Sequence, residues 1–302
     1  MIILLIGKNG QLSSVLNKEL SIMHKVFAVD RYRLCLSKIT SLEKFIDQAK
    51  PDLIINTAAY NQVDQAEIEK DLAFEINALL PKFLSSKSQS LGIPIIHIST
   101  NYIFDGSKNS PYEEEDQANP LSVYGKTKWL GEEFVRNNPK HFILRTSWLF
   151  SSHSPSFLLT MLKLAHEKHT INIVSDQWGS PTSTKTLVGA IQEILNRLLY
   201  KKSPEIYGTY HVACNGKTNW YDYSIKILSV LESMGIKTLL KTDQVIPISH
   251  VDYYQKACRP NYSVLATMKY KNIFQSKLPD WDLEVERTIL ESSIRCFNSK
   301  LN

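Results

Sequence analysis

Tyr124 and Lys128 stand four residues apart in the run Tyr124-Gly125-Lys126-Thr127-Lys128, at the start of a stretch with helical spacing. Residues four apart share a helix face, so the phenol and the ammonium become neighbours. The positive charge favours the phenolate and is expected to lower the tyrosine pKa. A tyrosine tuned in this way can donate a proton to a developing alkoxide while a nicotinamide supplies hydride. An exposed helix face produces the same spacing by chance. Thr100 lies upstream, after Ser99, at the end of an apolar run. Ligand sites of doubly wound sheets lie at such C-terminal strand ends. Its hydroxyl can hydrogen-bond a substrate oxygen or cap a turn.

Near the start of the chain, Gly7-Lys8-Asn9-Gly10-Gln11-Leu12-Ser13 joins an apolar run to a helical pattern. Glycine is scarce, 11 residues in 302, so two within the first ten are informative. Glycines there let the backbone turn tightly and approach a pyrophosphate on a helix N-terminus. The spacing is G-x-x-G-x-x-S, which also suits a strand–helix turn without a ligand. Asp30 closes the second strand, where a carboxylate can accept hydrogen bonds from a ribose diol and favour NAD. Arg31 follows, with Arg33 nearby, and a guanidinium there could instead hold the 2′-phosphate of NADP. These residues leave both cofactors open.

Such groups need a sheet whose strand ends bring them together. Residues 1–7, 53–58 and 93–100 are apolar runs of the kind buried on both faces, and 24–30 and 141–150 read as further strands. Helical spacing fills 11–20, 41–50, 64–90 and 123–137. Thr40 and Glu43 have capping-box spacing, and Pro81 is expected to break or kink the long third helix. The alternation predicts an α/β fold, a Rossmann-type doubly wound parallel sheet with helices on both faces. The second half is less regular, with strands at 171–176 and 208–214 and helices at 183–200, 220–234 and 281–297. The expected organisation is a dinucleotide-binding domain over 1–150 plus about 177–205. Residues 151–176 and 206–302 then form mainly a smaller, mixed α/β substrate-binding lobe.

Hydrophobic residues at 43% and charged residues at 22% exclude disorder and a membrane bundle. The net charge of +5 comes from interspersed signs, without the basic, aromatic-interleaved cluster of a nucleic-acid binder. No stretch approaches the ~18 apolar residues of a membrane span. The four cysteines and eight histidines show no metal-ligand spacing, so no catalytic metal is expected. The cysteines read as buried free thiols in a reducing compartment, and the protein as cytoplasmic.

The chain resembles the extended short-chain dehydrogenase/reductases, and within them the dTDP-4-dehydrorhamnose reductases. The resemblance spans nearly the whole length. It is carried by GKNGQL (7–12), PDLIINTAAYNQVDQAE (51–67), ISTNYIFDG (98–106), PLSVYGKTKWLGE (120–132), RTSWLF (145–150), DQWGSPT (176–182), GTYHVACNGKTNWYDYS (208–224) and RP (259–260). It implies hydride transfer from a nicotinamide cofactor, with NADP(H) favoured over NAD(H), to C4 of dTDP-4-dehydro-L-rhamnose. Tyr124 would be the general acid, Lys128 would hold the nicotinamide ribose, and Thr100 would polarise the C4 carbonyl. Gly7, Gly10, Gln11 and Leu12 would line the pyrophosphate, and Ala58, Ala59 and Tyr60 would run along the cofactor. Tyr102, Trp148 and Arg259 would serve the sugar nucleotide, since aromatics suit a sugar or thymine face and an arginine fork suits a diphosphate. Trp220 reads as packing. A dTDP-sugar is the expected partner of a monomer or homodimer. Two other readings are reduction of another nucleotide 4-keto-6-deoxysugar and a non-catalytic, cofactor-binding regulatory subunit resembling that of methionine adenosyltransferase. Four positions depart from the family pattern: Ser13 for the third loop glycine, Cys35 for an acid near the adenine, Asn61 for a threonine, and Asn101 for the aspartate of S-T-D-Y.

Overall fold

The computed structural model describes residues 1–30, 39–200 and 204–299. The first half runs β1 (Ile2–Ile6), α1 (Gln11–Leu20), β2 (Lys25–Val29), α2 (Ile39–Ala49) and β3 (Leu53–Asn56). Then come α3 (Val63–Ala66), α4 (Lys70–Phe74), a π-helical turn (Glu75–Leu79), α5 (Leu80–Ser90), β4 (Ile95–Thr100), α6 (Val123–Arg136) and β5 (His141–Thr146). The second half contains β6 (Leu149–Phe150), α7 (Phe157–Glu167), β7 (Ile171–Val174), β8 (Trp178–Gly179), β9 (Thr182–Ser183) and α8 (Thr184–Tyr200). It ends with β10 (Gly208–His211), β11 (Thr218–Asn219), α9 (Trp220–Ser233), β12 (Val245–Ile248), α10 (Met268–Phe274) and α11 (Trp281–Ser299).

Six strands form one parallel sheet in the order β10-β5-β4-β3-β1-β2. Strands such as Ile2–Ile6 and Leu53–Asn56 are apolar on both sides because helices cover both faces. On one face Ile3, Leu5, Ile55, Ile96 and Leu144 pack against Leu12 and Leu16 of α1 and Leu187, Ile191 and Ile194 of α8. On the other, Leu4, Ile6, Ile54, Ile95 and Ile143 pack against Leu42 and Ile46 of α2, Leu80 and Leu84 of α5, and Val135 of α6. A third core joins α7, α9 and α11 around Phe150, Leu158, Tyr223, Ile227 and Ile289 beside the parallel pair β7–β12. The fold is the doubly wound α/β class. No helix among the described residues is long and apolar enough to cross a membrane.

Several expectations change in detail. Thr40 is the second residue of α2 and therefore lies within the helix, not at its cap. The long helix of 64–90 divides into α3, α4, the π-turn and α5. Pro81, at the first turn of α5, has no N–H to offer the Asn77 carbonyl. A Cβ on Gly131 of α6 would lie 2.1 Å from that carbonyl oxygen, so the glycine lets α6 close on the irregular turn. The run 141–150 leaves the sheet after Thr146 and turns through Trp148, whose φ is +44°. Residues 208–211 pair with β5 as the sheet's edge, although the sequence assigned 206–302 mainly to the smaller lobe. Cys214 is a buried free thiol as expected, but Cys258 is exposed, because it sits on a surface segment next to Arg259. Arg31, Arg33 and Cys35 lie outside the described residues.

Candidate active site

The glycine loop lies on the C-terminal edge of the sheet. Gly7 has φ +103°, and a Cβ there would lie 2.9 Å from Thr57 Oγ1 and 3.0 Å from the Ala58 nitrogen, so only glycine fits. Gly10 donates its N–H to the Gly7 carbonyl (2.8 Å) and precedes α1 without any side-chain cap. The first-turn N–H groups of α1 are thereby left for an anion. Gln11 opens the helix and meets Ser151 Oγ (3.1 Å), whereas the Leu12 side chain enters the core. Ser13, at the missing glycine, is fully buried, and its hydroxyl hydrogen-bonds Thr57, which donates to the Ile6 carbonyl at 2.7 Å. The serine is thus accommodated by a bond that glycine would lack. At the end of β2, Asp30 Oδ1 is buried without a hydrogen-bond partner, as expected of a carboxylate awaiting a ligand's hydroxyl. Uncapped N–H groups, a cradle that excludes a Cβ and an orphaned carboxylate oxygen together fit a nicotinamide dinucleotide.

After β3, Ala58, Ala59 and Tyr60 continue along the same edge. Asn77 fixes them, because its amide accepts from the Tyr60 N–H (2.8 Å) and donates to the Tyr60 carbonyl (3.1 Å) and to Thr127 Oγ1 (3.1 Å). Tyr60 also donates through its hydroxyl to Glu69 (2.9 Å).

The N-terminus of α6 carries Tyr124 and Lys128 to the ends of β3 and β4. Ser122 Oγ accepts from the Gly125 N–H (3.1 Å), and Glu67 accepts from the Val123 N–H (2.8 Å). Gly125 is required because a Cβ there would lie 2.2 Å from the Tyr102 carbonyl oxygen. Thr100 caps the short turn after β4 by accepting from the Tyr102 N–H (3.2 Å), its hydroxyl donates to Asn101 Oδ1 (3.3 Å), and it lies close enough to the Tyr124 phenol to favour the phenolate. The turn-capping reading of Thr100 is the one its hydrogen bonds show.

The electrostatics differ from expectation. Burial pushes the Tyr124 pKa up to about 12, and the nearby Thr100 hydroxyl offsets this only in part. Lys128 does not counter it, because the ammonium is anchored on the Ile98 carbonyl at 2.6 Å. Lys128 is 1% exposed, and burial pushes its own pKa down to about 8, opposed by the charge of Glu132. His97 faces it, with Nε2 3.4 Å from Nζ. Asn56 sets the imidazole's tautomer. Its Oδ1 takes the Ala58 N–H (3.1 Å), so its Nδ2 must donate to His97 Nδ1 (3.0 Å). Burial, and secondarily the charge of Lys128, hold His97 well below its usual pKa.

Beneath this group, α6 is bolted to the sheet by Glu132, which is fully buried. It accepts from Arg145 Nη2 (2.8 Å), Arg136 Nη2 (2.9 Å) and Ser99 Oγ (2.5 Å). Asn56, Asn77, His97, Glu132 and Arg145 were missed by sequence reasoning. The available signals were polar residues inside apolar strands and the one-turn spacing of Lys128 and Glu132.

Tyr102 meets Tyr124 edge to face at 5.9 Å, and burial raises its pKa against the lowering effect of the nearby Arg259 charge. Arg259 grips Asp64 with both nitrogens, at 3.2 and 2.6 Å, and borders a cleft of ≈ 660 Å³ with Tyr254, His250 and Gln177. Asp64 went unnoticed in the sequence because it lies 195 residues from its partner. Trp148 stacks on Trp220 at 3.6 Å and abuts Gly179, so both indoles take part in packing. Asn101 donates to Ser263 Oγ (2.8 Å), which a carboxylate could not do, and Asn61 is exposed.

Comparison with known proteins agrees over almost the entire chain. The family model described as RmlD substrate binding domain matches residues 1–294. The dTDP-4-dehydrorhamnose reductase of Salmonella typhimurium is 36% identical over 296 residues, covering 96% of this chain and 98% of its own. A crystal structure of a dTDP-4-dehydrorhamnose reductase from Clostridium acetobutylicum superposes with a TM-score of 0.86 at 35% identity, over 96% of this chain and 98% of that one. The Bacillus anthracis dTDP-4-dehydrorhamnose reductase, solved in complex with NADP, gives 0.85 at 34% identity, over 96% and 99%. The chain belongs to the RmlD family, the family of the dTDP-4-dehydrorhamnose reductases.

Proposed function

We propose that this protein reduces the C4 keto group of dTDP-4-dehydro-L-rhamnose to the alcohol of dTDP-L-rhamnose, with NADPH preferred and NADH accepted. The observation that carries the reading is the convergence of Thr100, Tyr124 and Lys128 on the sheet edge that also holds the Gly7–Gly10 loop. Bound there, a nicotinamide cofactor supplies hydride to the carbonyl carbon. Thr100 donates a hydrogen bond to the carbonyl oxygen and polarises it. Tyr124, with its pKa raised to about 12, stays protonated at neutral pH and delivers its proton to the same oxygen. One hydride and one proton complete the alcohol. The Lys128 ammonium, one helical turn away, holds the nicotinamide ribose. Arg259 exchanges Asp64 for the substrate's diphosphate, and Tyr102 lines the sugar. Trp148 shapes the wall behind it. Residues 1–150 and about 177–205 serve the cofactor, and the smaller lobe serves the dTDP-sugar, in a cytoplasmic monomer or homodimer.

Ser13 and Asn101 are the departures that would suggest a non-catalytic subunit, and each is met by hydrogen bonds that keep the site intact. The test mixes protein, NADPH or NADH, and dTDP-4-dehydro-L-rhamnose and follows the absorbance of the reduced cofactor. Consumption is expected. No consumption with either cofactor would refute the reading, and faster consumption with a different nucleotide 4-ketosugar would reassign the substrate.

A further inference from the structure

Among the described residues, four buried side-chain polar atoms lack a hydrogen-bond partner, and two of them lie on the C-terminal edge of the sheet. One is Asp30 Oδ1, after β2. The other is Thr146 Oγ1, at the end of β5. Thr146 is 7% exposed. Its polar neighbours along this edge are all engaged: Thr57 on the Ile6 carbonyl, Ser99 on Glu132, Arg145 on Glu132, and Ser147 on the Ser180 carbonyl. A buried hydroxyl left unpaired destabilises the fold, so a threonine where valine would fit points to a ligand.

Its position says which part of a ligand. Thr146 is in register with Thr100, on the sheet face that carries Ile96, Phe142 and Leu144 and is covered by α1 and α8. The helix that carries Tyr124 and Lys128, α6, packs its Val135 against the opposite face. Asp30 and Thr146 are separated by four strand spacings, about 19 Å, with the glycine loop between them. They bracket an extended dinucleotide lying across the strand ends, with a ribose at Asp30 and the nicotinamide at Thr146.

We propose that Thr146 is a cofactor-binding residue whose hydroxyl hydrogen-bonds the nicotinamide carboxamide. A hydroxyl both donates and accepts, and the carboxamide offers both complements. The contact fixes the rotation of the ring from the α1 side while α6 holds the ribose, and so decides which ring face meets the substrate. This inference rests on the functional reading above.

The test compares wild type, Thr146→Val and Thr146→Ser by calorimetric titration with NADPH and with 2′-phospho-ADP-ribose, which lacks the nicotinamide. Unfolding midpoints are measured without ligand. Thr146→Val should bind NADPH ~10-fold more weakly, the scale of one hydrogen bond. It should bind 2′-phospho-ADP-ribose like wild type, and its unfolding midpoint should be no lower. Thr146→Ser should stay close to wild type for NADPH. Unchanged NADPH affinity in the valine variant, equal loss for both ligands, or a lowered midpoint would overturn the inference alone. Wild-type protein that binds no NADPH would overturn the functional reading and this inference with it.

Discussion

Replacing Lys128 by methionine should stabilise the ligand-free protein while it removes activity. Methionine keeps the unbranched stem and deletes the charge. Burial pushes the Lys128 pKa from 10.5 down to about 8, which corresponds to about 3 kcal/mol of desolvation carried by the folded state at neutral pH. The bond from Nζ to the Ile98 carbonyl, 2.6 Å long, is lost in the variant and returns about 1 kcal/mol. The net expectation is a gain of about 2 kcal/mol for Lys128→Met at about pH 7. The pH dependence has a definite sign. Below the folded pKa the lysine is charged in both states and the full desolvation cost is present. Between about 8 and 10.5 the unfolded chain binds the proton that the fold has released, so wild-type stability rises with pH through that window relative to the variant. By about pH 9.5 the gap should have shrunk by about 2 kcal/mol, close to zero. Urea denaturation of both proteins at the two pH values, without cofactor, reads this difference, and the other titrating groups cancel between them. A variant less stable than wild type at neutral pH, or a gap that ignores pH, would refute the argument.

Tyr124→Phe removes the proton donor and nothing that grips the cofactor. Turnover should fall by ~10²–10⁴-fold while the NADPH Kd from calorimetry stays unchanged. Gly125→Ala places a Cβ 2.2 Å from the Tyr102 carbonyl oxygen, so the start of α6 must shift. A displacement of about 1 Å at the reacting groups is expected to cost ~100-fold in kcat, measured by steady-state kinetics. Glu132→Gln leaves Arg145 buried opposite a neutral amide. Denaturation should show a loss of about 3–5 kcal/mol, larger than for any exposed ion pair.

Much of the architecture is local enough to be legible in the sequence. Ile2–Ile6 and residues 53–55 announce buried strands by being apolar at every position, and the glycine loop stands where β1 meets α1. Tyr124 and Lys128 share a face of α6 because one turn separates them. What escaped depends on pairings between distant segments. Asn77 holds Tyr60 in place because the π-turn before Pro81 aims its amide at the loop after β3. His97 is an anomalous polar residue in an apolar strand, and its meaning appears only when Asn56 and Lys128 close around it. Gly208–His211 has the pattern of any short strand, and nothing local tells it to join β5. The direction of the Tyr124 shift was misjudged because helix spacing shows a neighbouring charge but neither the depth of burial nor the carbonyl that holds that charge away.

The central claim is that this site carries hydride to C4 of a dTDP-4-keto sugar. Its most direct test supplies NADPH deuterated at the transferable position together with dTDP-4-dehydro-L-rhamnose and examines the product by NMR and mass spectrometry. One deuterium at C4 of dTDP-L-rhamnose is expected with wild-type protein, and the same product ~10²–10⁴-fold more slowly with Tyr124→Phe. Deuterium elsewhere in the sugar, or cofactor that stays fully reduced with wild-type protein, would contradict it.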